Sequence, residues 1–171
     1  MPFAFVHLFF SWCLGKAFEF ITKRKIHPAG WFLLLLGAII PDADLILSWI
    51  LKTNLHRNFT HSLFFVILIG LGSYFIFTLL REKHKEGFAF ALSVGIISHL
   101  FLDFFSTQGI PLLWPSEMYF SMFGITAYNP ALQFMKENHE GLLNTSKFML
   151  FDMAVGTAWM FYFAIRKRIK F

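Results

Sequence analysis

Five long apolar stretches dominate this sequence and restrict the folds available to it. They cover approximately residues 3–22, 31–51, 60–80, 87–105 and 147–165. Each approaches the ~20 apolar residues that an α-helix needs to cross the hydrocarbon core of a bilayer. The chain is also 57% hydrophobic and holds 25 Phe among its 171 residues, more than one soluble core of this size can bury. The sequence therefore predicts an all-α, polytopic membrane bundle of about five transmembrane helices, formed by a single domain over residues 1–171.

The segment 107–146 interrupts this pattern before the last predicted helix. It contains three Pro, three Asn and three Gly residues, which mark a long connection with short helical or interfacial pieces. Aromatic residues are spread along it, among them Trp114, Tyr119, Phe120, Phe123 and Tyr128. Because Trp and Tyr concentrate at membrane–water interfaces, we expect this extracytoplasmic connection to lie on the membrane surface. The segment 147–165 then forms the last helix.

Basic residues orient the predicted bundle. Ten of the 15 Lys and Arg residues fall in the connections 22–30 and 81–87 and in the C-terminal tail. With five crossings these regions share one side, which the positive-inside rule places in the cytoplasm. The sequence thus predicts a multi-pass protein of the cell (plasma) membrane with an extracytoplasmic N-terminus and a cytoplasmic C-terminus. Such clusters anchor helices to anionic lipid, so the net charge of +5 predicts no nucleic-acid partner.

Ionisable residues lie within or beside the apolar stretches. Polar groups at membrane depth are costly, and each is by default a candidate functional residue. They are His7, Asp42, Asp44, His56, His61, His99 and Asp103. Counted at ~1.5 Å per residue from the predicted helix ends, they fall toward the outer side of the membrane. Because four predicted helices contribute to this one layer, we expect a shared site.

Local spacing supports this convergence. His99 and Asp103 are four residues apart and therefore share one face of a helix. Asp42 and Asp44 would diverge by about 200° on an ideal helix. Pro41, however, breaks or kinks a helix interior, and non-helical backbone at membrane depth is tolerated where it lines a cavity. We therefore expect a broken helix at residues 38–44 that forms part of the wall of the site.

The residue types favour a metal centre. The single Cys13 excludes a Cys-based zinc cluster, so His and carboxylate groups must hold any ion. Such ligands suit Zn²⁺ best, and Mn²⁺ as well. The predicted metal ligands are His7, Asp42, His61, His99 and Asp103. More than four candidates allow one or two ions, and a pair of ions ~4 Å apart is typical of phosphate-ester hydrolysis.

Three further residues are predicted to take part in catalysis: Asp44, His56 and Arg57. Arg57 offers a planar guanidinium fork for a phosphate oxygen. Simpler roles stay open, since Asp44 can cap the helix after Pro41 and His56 can be an ordinary loop residue.

Simpler roles stay open for some of the predicted ligands as well. His7 can be an interfacial residue bonded to backbone, and the pair of His99 and Asp103 can be a polar clamp between helices. The remaining ionisable residues of interest are placed outside the layer (Glu19 and Asp152) or in solvent (His27, His84 and His139).

The order of these residues forms a recognisable pattern. It comprises His7, Pro41-Asp42-Ala43-Asp44, His56-Arg57-Asn58-Phe59-Thr60-His61-Ser62, Ser98-His99-Leu100-Phe101-Leu102-Asp103, Gly109 and Leu112-Leu113-Trp114-Pro115. The pattern resembles the YdjM-like family of membrane-bound metal-dependent hydrolases, and it makes residues 1–115 the metal-site part of the chain.

More distantly, the His and Asp pattern is similar to zinc-dependent phospholipase C and the related single-strand nucleases. That likeness implies phosphoesterase chemistry. Those enzymes use further ligands, a ligating N-terminal Trp amine and a late Glu, which have no convincing counterpart here. The number of ions therefore stays open.

Taken with this resemblance, the sequence predicts a membrane-bound metal-dependent hydrolase. We expect it to be a phosphoesterase that acts on a lipid or lipid-linked substrate through metal-activated water. Two alternatives from other classes stay open. A metal-ion or proton transporter also places Asp and His at membrane depth, although no inverted repeat is present. A non-catalytic membrane scaffold would use the same polar cluster only to hold its helices together.

Overall fold

The computed structural model describes residues 4–51, 58–105, 109–116 and 118–127, and the isolated positions 151, 154, 156, 158 and 162. This part of the chain is mostly helical. Its α-helices are α1 (Ala4–Thr22), α2 (Pro28–Gly37), α3 (Ala43–Leu51), α4 (Leu63–Leu79) and α5 (Lys85–Phe104). A single 3₁₀ turn, Phe59–His61, precedes α4. The two strands are β1 (Met118–Ser121) and β2 (Gly124–Ala127).

Two of these helices, α1 and α5, have the length and apolar composition of a membrane span. The apolar helices α2 and α4 are shorter, at 10 and 17 residues, and so reach only about 15 and 25 Å. The predicted fifth helix at 147–165 falls largely outside the described residues, although the five isolated positions within it are helical. Five complete transmembrane helices therefore remain a prediction.

The second predicted stretch, 31–51, is divided into two helices as expected. Helix α2 begins at Pro28, where the missing N–H costs nothing, and the Nδ1 atom of His27 accepts a hydrogen bond from the Ala29 N–H at 3.2 Å. It ends at Gly37, and a turn over residues 38–42 leads into α3. The break at Pro41 is confirmed, and it leaves Asp42 in the turn rather than on a helix.

The backbones of helices α2 and α5 are in contact where the two helices cross. Gly37 and Gly95 face each other, and a methyl group added to either would collide with backbone atoms of the opposite helix. Small residues allow such close approach between helices in membranes. Trp31 on α2 and Ile96 on α5 are both fully buried. This contact fixes the turn after α2 against the C-terminal half of α5.

The surface of α4 indicates where the bundle meets lipid. Ile67, Leu71, Phe75 and Leu79 recur every four residues, and each is more than half exposed. A continuous apolar stripe of this length is unusual on a soluble monomer. We therefore expect this stripe to be the bilayer-facing surface of α4.

The described fold is mostly helical, as predicted, but the connection after α5 contains a β-hairpin where short helical or interfacial pieces were expected. Strands β1 and β2 pair antiparallel, with Phe120 opposite Ile125 and Ser121 opposite Gly124. Aromatic and β-branched residues flank a two-residue turn, which favours a hairpin over a helix. Backbone hydrogen bonds join the hairpin to Ile110 at 2.9 Å and to the Phe104 carbonyl at 2.9 Å. The interfacial position of the connection remains a prediction, and residues 128–146 lie outside the described part.

Candidate metal centre

Five buried ionisable side chains meet at one end of the bundle. His7 comes from α1, Asp42 from the turn before α3, His61 from the end of the 3₁₀ turn, and His99 and Asp103 from α5. Each is at most 7% exposed. These are the five predicted metal ligands. Two of the predicted catalytic residues, His56 and Arg57, lie outside the described residues.

The donor atoms of Asp42 and Asp103 lie close to both the His61 Nε2 and the His99 Nε2 atoms. The Nε2 atom of His61 lies 3.6 Å from Asp42 Oδ1, 3.4 Å from Asp103 Oδ2 and 3.3 Å from His99 Nε2. The Nε2 atom of His99 lies 3.4 Å from Asp42 Oδ1 and 3.8 Å from Asp103 Oδ2. Four ligands at zinc–nitrogen distances of about 2.0–2.1 Å would be about 3.3–3.4 Å apart in a regular tetrahedron. His61, His99 and Asp103 therefore form a three-donor group spaced for one ion, and three protein ligands leave a fourth position open for water.

His7 lies on a second side of the cluster. Its Nε2 atom is 3.7 Å from Asp103 Oδ1, the carboxylate oxygen not used by His61 and His99. Its ring stacks on His99, with centroids 3.9 Å apart and planes at 15°. His7, Asp42 and His99 also form a donor group within 4.8 Å. Asp103 is thus placed to bridge two ions if the site holds a pair.

The orientation of His99 is set by the backbone. Its Nδ1 atom lies 2.8 Å from the carbonyl oxygen of Ala38 in the turn after α2. Because a carbonyl can only accept, this Nδ1 carries the proton, and the Nε2 atom presents a lone pair to the cluster. A backbone carbonyl behind a ligating imidazole is the usual arrangement in metal sites. The break at Pro41 therefore helps to hold a donor on α5 as well as placing Asp42.

His61 is oriented by a side-chain relay. Thr60 Oγ1 lies 3.0 Å from His61 Nδ1 and donates to Asp44 Oδ2 at 2.5 Å. The same Asp44 oxygen is 3.5 Å from His61 Nδ1. Since the Thr60 proton goes to the carboxylate, its oxygen can accept the His61 Nδ1 proton. Asp44 therefore lies behind His61, on the opposite side of the ring from the donor cluster, where it orients the imidazole.

The orientations of the His61 and His99 rings bring two lone pairs close together. Both His61 and His99 direct an Nε2 lone pair to the same place, 3.3 Å apart. Two lone pairs at this distance repel each other unless a positive charge lies between them, either a proton or a metal ion. Asp42 and Asp103, both buried, add negative charge at the same point. The geometry and charge of the cluster therefore fit a divalent cation.

The local sequence explains the position of His61. Its backbone N–H bonds to the Asn58 carbonyl at 3.1 Å and closes the 3₁₀ turn. The next residue, Ser62, caps α4 by accepting a hydrogen bond from the Phe65 N–H at 3.2 Å. His61 is thus fixed at the entrance of α4 by the turn before it and the cap after it.

Two groups of the site were not anticipated from the sequence. The role of the Ala38 carbonyl could not be predicted from the pattern of side chains, because every residue has a backbone carbonyl. Thr60 had a weak signal, its position next to His61, but a hydroxyl beside a His has many possible partners.

Other ionisable residues lie away from the cluster, as expected. Glu19 is buried near the far end of α1, where it accepts a hydrogen bond from the Ile26 N–H at 3.0 Å. It also pairs with Lys16 at 3.2 Å and with Lys25 at 3.6 Å. His27 and His84 are exposed and stack on each other with centroids 5.1 Å apart. Neither group shares a contact with the five donors in the described part of the chain.

Comparison with known proteins identifies the family. The family model for the YdjM inner membrane protein matches residues 1–168. The inner membrane protein YbcI of Escherichia coli (strain K12) is 30% identical over 142 residues, covering 76% of this chain and 78% of that protein. The uncharacterized protein YvsG of Bacillus subtilis (strain 168) is 39% identical over 64 residues, which cover 37% of this chain and 36% of that protein. No solved structure matches the chain. The chain belongs to the YdjM inner membrane protein family.

Proposed function

We propose that this membrane protein is a metal-dependent hydrolase that cleaves a phosphate ester of a lipid or lipid-linked substrate. The observation that carries the proposal is the close spacing of three buried donors, from His61, His99 and Asp103, with Asp42 beside both His residues. A buried cluster of this composition is costly to maintain in a membrane protein and therefore favours a function.

The proposed ion is Zn²⁺, with Mn²⁺ as the second choice. Two imidazoles and a carboxylate suit zinc, and three protein ligands leave a coordination position for water. His7 and the second oxygen of Asp103 extend the donor set, so a second ion can be held beside the first. A divalent ion here would supply Lewis acidity to a phosphoryl oxygen and lower the pKa of water.

The residues of the chain have separate roles in this proposal. The carboxylates of Asp42 and Asp103 balance the charge of the ion. Asp44 and Thr60 hold the His61 ring in the orientation that it needs. His56 and Arg57 precede this segment in the sequence, and we assign Arg57 to binding a phosphate oxygen of the substrate.

We further propose a multi-pass arrangement in the cell membrane, with the N-terminus outside and the C-terminus in the cytoplasm. The distribution of Lys and Arg supports this orientation. It places the metal centre on the extracytoplasmic side, beneath the connection 107–146. A substrate would then arrive from the outer leaflet.

The test is metal-dependent release of phosphate from phosphatidic acid by the full chain in lipid nanodiscs. We expect activity with Zn²⁺ or Mn²⁺, loss of activity with a chelator, and loss in His99→Ala and Asp103→Asn. His84→Ala, which changes an exposed His far from the site, should retain activity. Metal binding without hydrolysis of any phospholipid or lipid phosphate would overturn the proposal. Accumulation of metal ions in proteoliposomes would then support the transporter instead.

A further inference from the structure

An apolar groove lies beside the metal centre. Its walls on α4 and α5 are Leu63, Ile97, Leu100, Phe101 and Phe104. Ile110 and Leu112, from the segment before the hairpin, close one side. Its volume is about 190 Å³, and all seven of these lining residues are apolar. A groove with this lining has no means of binding a polar group.

Several residues that line the groove are neighbours of the donor residues in the sequence. Leu100 directly follows His99, and Phe104 directly follows Asp103. Leu63 comes two residues after His61, and its backbone N–H bonds to the Leu112 carbonyl at 3.0 Å. A ligand that occupies both places must therefore be amphiphilic, with a polar end at the donors and an apolar end in the groove.

The outer rim of the groove belongs to the bilayer-facing surface. Leu63, Ile97 and Phe101 are 45%, 48% and 50% exposed. Leu63 also lies one helical turn before Ile67, which begins the apolar stripe of α4. The groove is thus continuous with the surface that meets lipid.

We propose that this groove binds one hydrocarbon chain of the lipid substrate and so positions its phosphate ester at the metal centre, an inference that rests on the proposed function. Sites that enclose a whole small molecule usually measure about 300–1,000 Å³. The smaller volume here suits a part of one chain, with the rest of the lipid left in the bilayer.

The groove orients the lipid rather than extracting it from the membrane. Hydrocarbon tails are as apolar as Leu side chains, so entering the groove gains nothing from the hydrophobic effect. The gain is dispersion contact, because an empty groove would leave its lining atoms without neighbours. We therefore expect a modest preference for the groove and a specific position along it.

The test uses phosphatidic acid with a photoactivatable diazirine near the end of one acyl chain, in nanodiscs with the full chain. We expect labelling of the peptide segments 97–104 and 110–112. Leu63→Trp and Ile97→Trp each place a larger side chain in the groove from a half-exposed position. Each should lower this labelling about three- to fivefold, the factor that corresponds to losing roughly five to ten carbon–carbon contacts. Ile67→Trp, on the same helix but outside the groove, should leave it unchanged.

Uniform labelling of the exposed α4 surface, or labelling unaffected by both groove variants, would overturn the inference. Phosphate release from the same lipid separates it from the proposed function. Hydrolysis without groove labelling would overturn only the proposal that the groove binds a hydrocarbon chain of the substrate. Groove labelling without hydrolysis would support binding of the acyl chain in the groove, and it would contradict the proposed hydrolysis of this lipid.

Discussion

The Nε2 atoms of His61 and His99 lie 3.3 Å apart, although these residues are 38 positions apart in the chain. Each ring has its other nitrogen directed to a partner outside the cluster, the Thr60 hydroxyl for His61 and the Ala38 carbonyl for His99. The two lone pairs therefore point at one location between two buried carboxylates. A cation at this location would remove the repulsion between the two lone pairs and would be attracted by the two carboxylates.

Metal removal should destabilise the protein. A ligand that binds only the folded state adds about 2.7 kcal/mol of stability at a concentration of 100 Kd. We expect the melting temperature to fall after chelation and to recover when Zn²⁺ is added, measured in detergent by a thermal shift assay. His99→Ala should melt at the same temperature with and without the chelator. A wild-type melting temperature that chelation does not change would favour the scaffold alternative.

Asp44 should act on metal affinity through His61. Removing a partner that orients a ligating His typically weakens metal binding about 10–100-fold. We expect this loss in Asp44→Asn and in Thr60→Val, measured by competition with a chelating dye. Thr60→Ser, which keeps the hydroxyl, should bind the metal within a few-fold of the wild type. Complete loss of metal in Asp44→Asn would instead identify Asp44 as a ligand.

The crossing of α2 and α5 should tolerate no additional atoms. Gly95→Ala would insert a methyl group against the backbone near Leu34 and Gly37, and overpacking of this kind costs about 1–3 kcal/mol. Because the same crossing holds Ala38 against His99, metal content should fall as well. Gly72→Ala is the matched control, since a methyl group there contacts nothing within 4 Å. Equal melting temperatures for the two variants would contradict this account of the crossing.

Glu19 should stabilise the fold without affecting the metal. Replacement by Ala leaves the Ile26 N–H and two Lys side chains without this carboxylate, and an unsatisfied group of this kind costs about 1–3 kcal/mol. We expect a lower melting temperature and unchanged metal stoichiometry. Glu86→Ala, at an exposed position in the first turn of α5, should change the free energy of unfolding by about 0.5 kcal/mol or less. Loss of metal in Glu19→Ala would contradict this prediction and show that Glu19 affects the metal centre at the other end of the bundle.

The sequence predicted those features that depend on local rules. Pro41 predicted the break before α3, because proline removes a backbone donor. The spacing of His99 and Asp103 predicted a shared helix face. The depth of each ionisable residue along its helix predicted that seven would share one layer. The structure brings five of them together and places Asp44 behind His61, while His56 lies outside the described residues.

Features that depend on contacts between distant segments were not predictable in this way. The hairpin at 118–127 is attached to the rest of the fold through backbone atoms of Ile110 and Phe104, and backbone hydrogen bonds leave no side-chain signature. The contact of Gly37 with Gly95 depends on the packing of α2 against α5, and α3 and α4 lie between these helices in the sequence. The hydrogen bonds that link Asp44, Thr60 and His61 could be predicted only from the three-dimensional path of the turn.

The central claim is tested most directly by metal content. The full chain, purified in detergent and reloaded, would be measured by elemental mass spectrometry beside His61→Ala, Asp103→Asn and the exposed control His84→Ala. The account predicts near-stoichiometric zinc or manganese in the wild type and in His84→Ala, and loss of the metal in the other two variants. A wild type that holds no metal after reloading, or a His61→Ala variant that retains it in full, would contradict the account.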